Sequence, residues 1–223
     1  LDLRANGESF TKVTSLFTEK SWYFDLFAKN FVASYDTTQY GAVPTIYIGL
    51  FTLILACLFF ATTSIKLRTK LAFLTLLGFI IASFYLRALD LFWQGMHTPN
   101  MFLHRYSFVF SLLIIIMAAE TLIRLREIRI RWIISIAILL IIGFTSTVLS
   151  NHYHYVKFIN ISLTLLFGIA YLTLLISYQK KWLLPNYFSI FITILVFSEL
   201  GINTYYQLNG IADEWHYASR ASY

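Results

Sequence analysis

Six long apolar runs constrain this chain more than any other feature of its sequence. They cover residues 45–64, 71–89, 107–123, 132–149, 158–178 and 183–200. Each run is close to the roughly 20 residues that an α-helix needs to cross the hydrocarbon core of a bilayer. Lipid offers no hydrogen-bond partner to backbone groups, so such runs are expected to cross it as helices. The pattern therefore predicts an all-α, polytopic membrane bundle of about six transmembrane helices.

Composition agrees with this class of protein. Hydrophobic residues make up 58% of the chain, charged residues only 13%, and the mean hydropathy is +0.68. A typical soluble domain has about 25% charged residues. The chain carries no phosphate-loop, dinucleotide, zinc-protease, dithiol or nucleophile-elbow motif. A soluble hydrolase, NTPase or Rossmann enzyme is therefore unsupported.

The basic residues are distributed unevenly between the two sides of the predicted bundle. Three short loops, after the first, third and fifth runs, hold nine of the 17 Lys and Arg residues. Cytoplasmic loops carry the excess of Lys and Arg. We therefore expect a membrane domain over 45–200 with both termini extracytoplasmic. The outer side would carry the segment 1–44, the loop 90–106 within the membrane domain, and the tail 201–223. The net charge of +6 reflects this topology, and no separate basic domain suggests nucleic-acid binding.

The segment 1–44 mixes apolar and polar residues. Apolar side chains recur at spacings close to three and four, at Phe10, Val13, Phe17, Phe24, Phe27 and Phe31. This spacing predicts an amphipathic helix, either on the membrane surface or packed in an outer domain. Residues 34–41 are typical of a loop, and Pro44 is expected just inside the start of the first transmembrane helix.

The loop 90–106 and its flanks hold the densest polar patch of the chain. Arg87 and Asp90 are three residues apart, so they can meet on one helical face. The Pro99–Asn100 pair breaks the backbone, and irregular backbone at membrane depth needs a cover of protein or water. This favours a cavity, whereas the alternative is an interfacial loop with solvated charges. The candidate substrate-binding residues of this patch are Arg87, Asp90, His97, Asn100 and Arg105.

Glu199 is the second candidate, near the outer end of the sixth run. Asn203 and Gln207 follow at spacings of four, so all three share one face if the helix continues. Carboxylates in membrane helices usually face the bundle interior or a water-filled cavity. One interpretation is an ion pair with an arginine of the polar patch. The other is a substrate pocket formed by Glu199, Asn203, Arg105 and His97, in which the guanidinium would bind a phosphate.

All five histidines lie in the predicted outer segments, at 97, 104, 152, 154 and 216. His152 and His154 can place two imidazoles on one side of an extended loop. Zinc sites need three or four ligands at defined geometry, and the spacing here matches no standard signature. We therefore expect no cofactor, with a divalent metal as the open alternative.

The stretch 89–122 contains an ordered set of motif elements: Trp93, Gly95, Pro99, Asn100 and Arg105 to Phe108. In these elements it resembles the YfhO family of bacterial membrane proteins, which shows a Trp-x-Gly element, then Pro-Asn, then an Arg-Tyr/Phe-Ser-Phe block that leads into an apolar span. This chain has Gln94 where the family often has His. The segments 34–36 and 44–49 are also similar to the family's entry into its next span.

The resemblance implies a multi-pass protein of the cell membrane, considered a GT-C-type glycosyltransferase. Such an enzyme takes a sugar from a polyprenyl-phosphate carrier in the membrane lipid and transfers it to an envelope polymer such as lipoteichoic acid of Gram-positive bacteria. It also implies that this chain is a middle segment, with the catalytic acid outside it, so that role is assigned neither to Asp36 nor to Asp90. The alternatives are a lipid or solute transporter and a non-catalytic scaffold. A transporter would more typically show Gly/Pro-interrupted half-helices, which the six runs do not predict.

Overall fold

A computed structural model describes residues 15–18, 21–38, 44–97 and 104–215. In these ranges the chain is mainly helical, and an isolated β-bridge joins Phe17 to Leu86. The all-α class is thus confirmed. The helices are α1 (Asp25–Ala28), α2 (Leu50–Phe59), α3 (Leu67–Tyr85), α4 (Arg87–Trp93), α5 (Ser107–Ile123), α6 (Ile130–Leu149), α7 (Phe158–Gln179) and α8 (Pro185–Trp215).

Four of the described helices, α3, α6, α7 and α8, are long and apolar enough to cross a membrane. They confirm a multi-pass membrane protein. The shorter apolar helices α2 and α5 have 10 and 17 residues. With 31 residues, α8 is about 46 Å long at 1.5 Å per residue, well beyond a hydrocarbon core of about 30 Å. It therefore continues through much of the predicted outer tail 201–223.

The first apolar run does not form one continuous helix. Residues 44–49 are not helical, Gly49 has a φ of +84°, and α2 begins only at Leu50. The prediction that Pro44 opens this helix is wrong. A short apolar run that contains β-branched residues, here Thr45 and Ile46, fits an extended strand as well as a helix. The first run thus contains a non-helical segment followed by a half-helix, α2, that begins after Gly49, and the sequence pattern did not predict this division.

The second run is interrupted at Leu86, which separates α3 from α4. Thr18 lies beside this break and donates its hydroxyl to the carbonyl oxygen of Phe84 at 2.7 Å. On the other side, the N–H of Arg87 donates to the carbonyl oxygen of Leu16 at 3.0 Å. Helix ends leave N–H and C=O groups without intrahelical partners. The strand-like contact therefore supplies the hydrogen bonds that a buried helix break requires.

The described part of the N-terminal segment enters the bundle. Over residues 21–38 only α1 is helical, and residues 31–34, the buried segment, lie between α7 and α8 with at most 6% exposure. The N–H of Val32 donates to Thr164 Oγ1 at 3.0 Å, and its carbonyl accepts from Asn160 Nδ2 at 3.1 Å. For residues 21–31 the predicted amphipathic helix is therefore wrong outside α1, because side chains of α7 satisfy backbone groups that a helix would pair internally. The loop predicted from residue 34 is confirmed over 34–38.

Two apolar clusters form the core, and α2 belongs to both. Its Leu58 side packs with α6, α7 and the start of α8, whereas its Phe59 side packs with α3 and α5. Both residues are fully buried. The outward faces of α3, α6, α7 and α8 expose many Leu, Ile and Phe side chains, as expected for helices in lipid.

The basic loop between α5 and α6 lies against the end of α7. Arg126 Nε donates to the Tyr178 hydroxyl at 3.0 Å, and Gln179 donates to the carbonyl of Leu125. These contacts bring that loop next to Lys180 and Lys181, which directly follow α7. The placement of this end in the cytoplasm, with both termini outside, stays a prediction.

Candidate functional sites

Asp90 lies at the centre of a polar cluster beside the helix break, and its exposure is 1%. Its Oδ1 accepts from Gln94 Nε2 at 2.6 Å and lies 3.0 Å from the Tyr106 hydroxyl and 3.1 Å from His104 Nδ1. Its Oδ2 lies 3.5 Å from Arg87 Nη1, as the three-residue spacing predicts. We call these five residues the helix-break cluster. A buried carboxylate is stable only with such a set of donors.

Tyr106 links this cluster to the neighbouring helices. Its hydroxyl is 2.6 Å from the carbonyl oxygen of Ser83 on α3 as well as close to Asp90. Its ring stacks between Trp93 and Phe84, with centroid distances of 5.3 and 5.5 Å. Stacked aromatic rings add to the burial energy. The end of α3, the helix α4 and the start of α5 are therefore held as one unit.

Arg105 lies on this unit with its side chain exposed. Its neighbours His104 and Tyr106 are only 6% and 4% exposed, and α5 begins at Ser107. The backbone of Arg105 is thus fixed next to a helix N-terminus, which favours anions. His97 is also exposed and follows the turn after α4, whereas Asn100 lies outside the described residues. Their substrate-binding roles stay predictions.

Glu199 forms a second buried cluster, with an exposure of 1%. Its Oε1 accepts from the Leu50 N–H at 2.8 Å and from the Tyr47 hydroxyl at 2.5 Å. Its Oε2 accepts from the Tyr171 hydroxyl at 2.6 Å. We call these four residues the Glu199 cluster. The carboxylate of α8 thus caps the N-terminus of α2, where the helix dipole favours negative charge.

These contacts replace one of the two predicted interpretations of Glu199. Among the residues that the structure describes, no ion pair or hydrogen bond joins Glu199 to Arg87, Arg105 or His97. The predicted ion pair with an arginine is therefore wrong, whereas the substrate-binding roles of Glu199 and Asn203 stay predictions. The side-chain donors to Glu199 are instead the hydroxyls of Tyr47 and of Tyr171 on α7, because the segment before α2 lies inside the bundle.

The face of α8 beyond Glu199 holds the buried segment. The helix continues past residue 200, so Asn203 and Gln207 lie on the predicted shared face. Asn203 Oδ1 accepts from the Ala33 N–H at 3.0 Å, and Gln207 Nε2 donates to the Ser34 carbonyl at 2.5 Å. Asn203 therefore binds the backbone of the buried segment. The spacing of four predicted which face of α8 it lies on, but not its hydrogen-bond partner.

A cavity of about 670 Å³ lies beside the buried segment, between α7 and α8. We call it the tyrosine cavity, because Tyr35, Tyr155, Tyr205 and Tyr206 line it, with Asp36, Lys157, Asn209, Asp213 and Glu214 among them. The Glu214 carboxylate accepts from the Thr38 N–H at 3.0 Å and also contacts the hydroxyls of Tyr35 and Thr37. The sequence pattern did not predict this site, because its walls come from three separate segments of the chain, 33–36, 155–160 and 205–214.

Burial changes the acid–base properties of the segment before α2. Desolvation raises the pKa of Asp25, although the Trp22 N–H and the Tyr153 hydroxyl both donate to it at 2.7 Å. Desolvation lowers the pKa of Lys29, although Asp36 Oδ2 lies 2.8 Å from its ammonium. Burial, with the nearby Glu214 carboxylate, raises the pKa of Tyr35 to about 12.

Metal ligands do not converge in the part of the chain that the structure describes. No three His, Cys, Asp or Glu residues form a group there that could hold an ion. His152 instead stacks on Trp22, with a centroid distance of 4.6 Å, and His104 belongs to the helix-break cluster. His216 lies outside the described residues.

One comparison with known proteins gives a match. The family model for the bacterial membrane protein YfhO matches residues 1–223. This match spans the whole sequence, well beyond the stretch 89–122 that carries the motifs. No curated protein and no solved structure matches the chain.

Proposed function

The chain belongs to the YfhO family of bacterial membrane proteins, and from this premise we propose that it is a segment of a membrane glycosyltransferase. The enzyme would move a sugar from a polyprenyl-phosphate carrier to an envelope polymer such as lipoteichoic acid. The catalytic acid would lie in another part of the full-length protein. This segment would hold the carrier phosphate at Arg105.

The observation that carries the proposal is the setting of Arg105. Its side chain is exposed, while the residues on either side of it are buried and bonded to Asp90. A guanidinium offers paired N–H donors that match phosphate oxygens. A carrier phosphate in the headgroup region would also benefit from the N-terminus of α5. A rigid anion site at the predicted outer surface suits a lipid-linked sugar donor.

Transfer by the full-length protein tests this role. Membranes that contain it are supplied with a radiolabelled polyprenyl-phosphate sugar and with acceptor polymer. We expect Arg105→Ala to lower the transfer rate at least ten-fold, because a charged hydrogen bond contributes about 1.5–3 kcal/mol. Arg105→Lys should retain part of the rate, since it keeps the charge but loses the paired geometry.

Arg129→Ala is the matched control, because Arg129 is an exposed arginine at the opposite, basic end of the bundle. Its transfer rate and its level in the membrane should equal those of the wild type. Equal transfer by Arg105→Ala and the wild type, at equal protein levels, would rule out the phosphate role.

The half-helix α2 gives a transporter some support as the second candidate. In many transporters the N-termini of interrupted helices point at an anionic substrate in mid-membrane. Here the carboxylate of Glu199 already occupies the N-terminus of α2, bonded to the Leu50 N–H. The interruption therefore has a structural partner within the chain, and the glycosyltransferase is the better-supported proposal.

A further inference from the structure

We propose that an apolar cavity between α6 and α7 binds one acyl chain of a membrane phospholipid. The cavity has a volume of about 290 Å³, and we call it the α6–α7 groove. Its walls come from residues 137–148 of α6 and 161–172 of α7, with Phe31, Leu50 and Ile54 between them. The inference does not depend on sugar transfer.

The groove has a buried floor and an exposed rim. Phe31, Leu50 and Ile54 form the floor, and each of them is at most 3% exposed. Ile141 on α6 and Ile169 on α7 belong to the rim, with exposures of 53% and 64%. Both helices are long and apolar enough to cross a membrane, so their exposed side chains contact lipid. The groove therefore opens sideways into the bilayer and extends from there to α2.

The lining of the groove does not suit water. Among the lining residues that the structure describes, only Thr145 and Thr164 have polar side chains. The Thr164 hydroxyl is already bonded, because it accepts from the Val32 N–H at 3.0 Å and donates to the Asn160 carbonyl at 2.7 Å. A buried water needs about two to four polar partners. Hydrocarbon from the surrounding lipid is therefore the occupant that the lining favours.

The dimensions of the groove match a single chain in one leaflet. From Ala137 to Val148 it spans about 16 Å at 1.5 Å per residue, roughly half of a 30 Å hydrocarbon core. Val148 is next to the last residue of α6, and Ile161 is in the first turn of α7, so the groove begins at headgroup level. Over this length, the volume gives a cross-section of about 18 Å², which admits one extended chain and not two.

Lys157 places a positive charge at the end of the groove where the headgroup would lie. It is exposed and lies one helical turn before the first lining residue of α7. Every glycerophospholipid carries a phosphate near the start of its chains, and an ammonium binds phosphate oxygens. Asp36 and Glu214, which share the tyrosine cavity with Lys157, are bonded to Lys29 and to the Thr38 N–H. The charge of Lys157 is therefore complementary to a phospholipid headgroup.

The groove is a different site from the one proposed for the polyprenyl-phosphate carrier. Arg105 precedes α5 and lies on the unit formed by α3, α4 and α5. The groove lies between α6 and α7, and α2 packs between these two parts of the bundle. A carrier held by its phosphate at Arg105 therefore leaves the groove to another lipid.

Gly168 keeps the groove open. It lines the groove at the middle of α7, and an added Cβ there meets no atom within 4 Å. A leucine at this position would fill the space that we assign to the acyl chain. Gly78 on α3 is the matched control, because a Cβ added there also meets no atom within 4 Å and Gly78 does not line the groove.

Photocrosslinking of lipid to the full-length protein in nanodiscs tests the proposal. The probe is phosphatidylglycerol with a diazirine in the middle of one acyl chain, and mass spectrometry maps the labelled residues. Lipid that only surrounds the protein reaches exposed side chains. We expect the probe to label Leu50 and Ile54 as well, although both are 3% exposed. Labelling confined to exposed residues would overturn the proposal.

Two variants narrow the groove from opposite walls. Gly168→Leu should lower the labelling of Leu50 and Ile54 roughly five-fold or more, because its side chain occupies the space of the lipid chain. Thr145→Leu on α6 should lower it in the same direction, and it keeps the test valid if Gly168→Leu fails to fold. Gly78→Leu should label as the wild type does. Wild-type labelling of Leu50 and Ile54 in both groove variants would refute the site.

Two further lipids identify the occupant. Diacylglycerol with the same photoreactive chain lacks the phosphate, so it should label Leu50 and Ile54 roughly three-fold more weakly. Unlabelled polyprenyl phosphate, equimolar with the phosphatidylglycerol probe, should leave the labelling unchanged. Equal labelling by diacylglycerol would refute a phospholipid site. Displacement by polyprenyl phosphate would show that the groove belongs to the carrier, which would also overturn the proposal.

Discussion

At the scale of single residues, Glu199 shows what a buried carboxylate does in this bundle. It accepts three hydrogen bonds, from Tyr47, Tyr171 and the Leu50 N–H, and thereby joins α2, α7 and α8. A carboxylate in lipid is costly unless it is paired in this way. Glu199 therefore stabilises the half-helix α2, which lacks the length to span the membrane on its own.

Substitution of Glu199 tests this role. Glu199→Ala leaves three buried donors without an acceptor, so we expect a loss of about 3 kcal/mol or more in the free energy of unfolding. Glu199→Gln should cost less, because its carbonyl still accepts. Thermal unfolding in detergent measures the relative stabilities of the wild type and the two variants. Ser198→Ala, at an exposed neighbour, should change little, and an equally mild effect of Glu199→Ala would contradict the capping role.

The sequence predicted Glu199 as an inward-facing residue but could not predict its partners. Tyr47 is 152 positions away, and Tyr171 lies in the middle of an apolar run. A tyrosine in the middle of such a run is the signal that could have been used. To predict that Glu199, Tyr47 and Tyr171 meet, one must know the path of the chain between them. In the polar patch, by contrast, Arg87 and Asp90 are close in the sequence, and their spacing predicted the contact between them correctly.

At the scale of helices, the long uninterrupted elements were predictable and the breaks were not. The run 107–123 coincides with α5, and α6 and α7 begin and end within two residues of their predicted bounds. Hydropathy indicates which segments are apolar enough to lie in lipid, and these helices are apolar along their whole length. It does not report where tertiary hydrogen bonds replace helical ones. The breaks at Gly49 and Leu86 depend on such bonds, so they appear only in the structure.

Two glycines of neighbouring helices form a matched pair. A Cβ at Gly143 on α6 would overlap the ring of Phe27, whereas a Cβ at Gly168 on α7 meets no atom within 4 Å. Gly168 lines an apolar cavity of about 290 Å³ between α2, α6 and α7. Tight packing at Gly143 therefore holds α1 against α6.

Alanine at these two glycines should have opposite effects. Gly143→Ala should lower the free energy of unfolding by about 1–3 kcal/mol, as overpacking does. Gly168→Ala should leave it unchanged or raise it by up to about 1 kcal/mol, because alanine favours the helix. The melting temperatures of both variants in detergent check this. Equal destabilisation by both would show that the packing of Phe27 on α6 is not what the contacts indicate.

At the scale of the whole molecule, the distribution of basic residues predicts the orientation. His97 and His152 should lie outside and Arg129 inside. All three are exposed. In a background without Cys57, single cysteines at 97 and 152 should react with a membrane-impermeant maleimide in intact cells. A cysteine at 129 should react only after permeabilisation, and the reverse pattern would invert the topology.

We propose that the full-length protein transfers a sugar and needs Arg105 to do so. The sugar content of lipoteichoic acid and wall polymers, from cells with and without the gene, tests this. We expect deletion to remove one sugar, the intact gene and the Arg129→Ala variant to restore it, and Arg105→Ala not to restore it. An unchanged glycan profile after deletion would rule out the proposed sugar transfer.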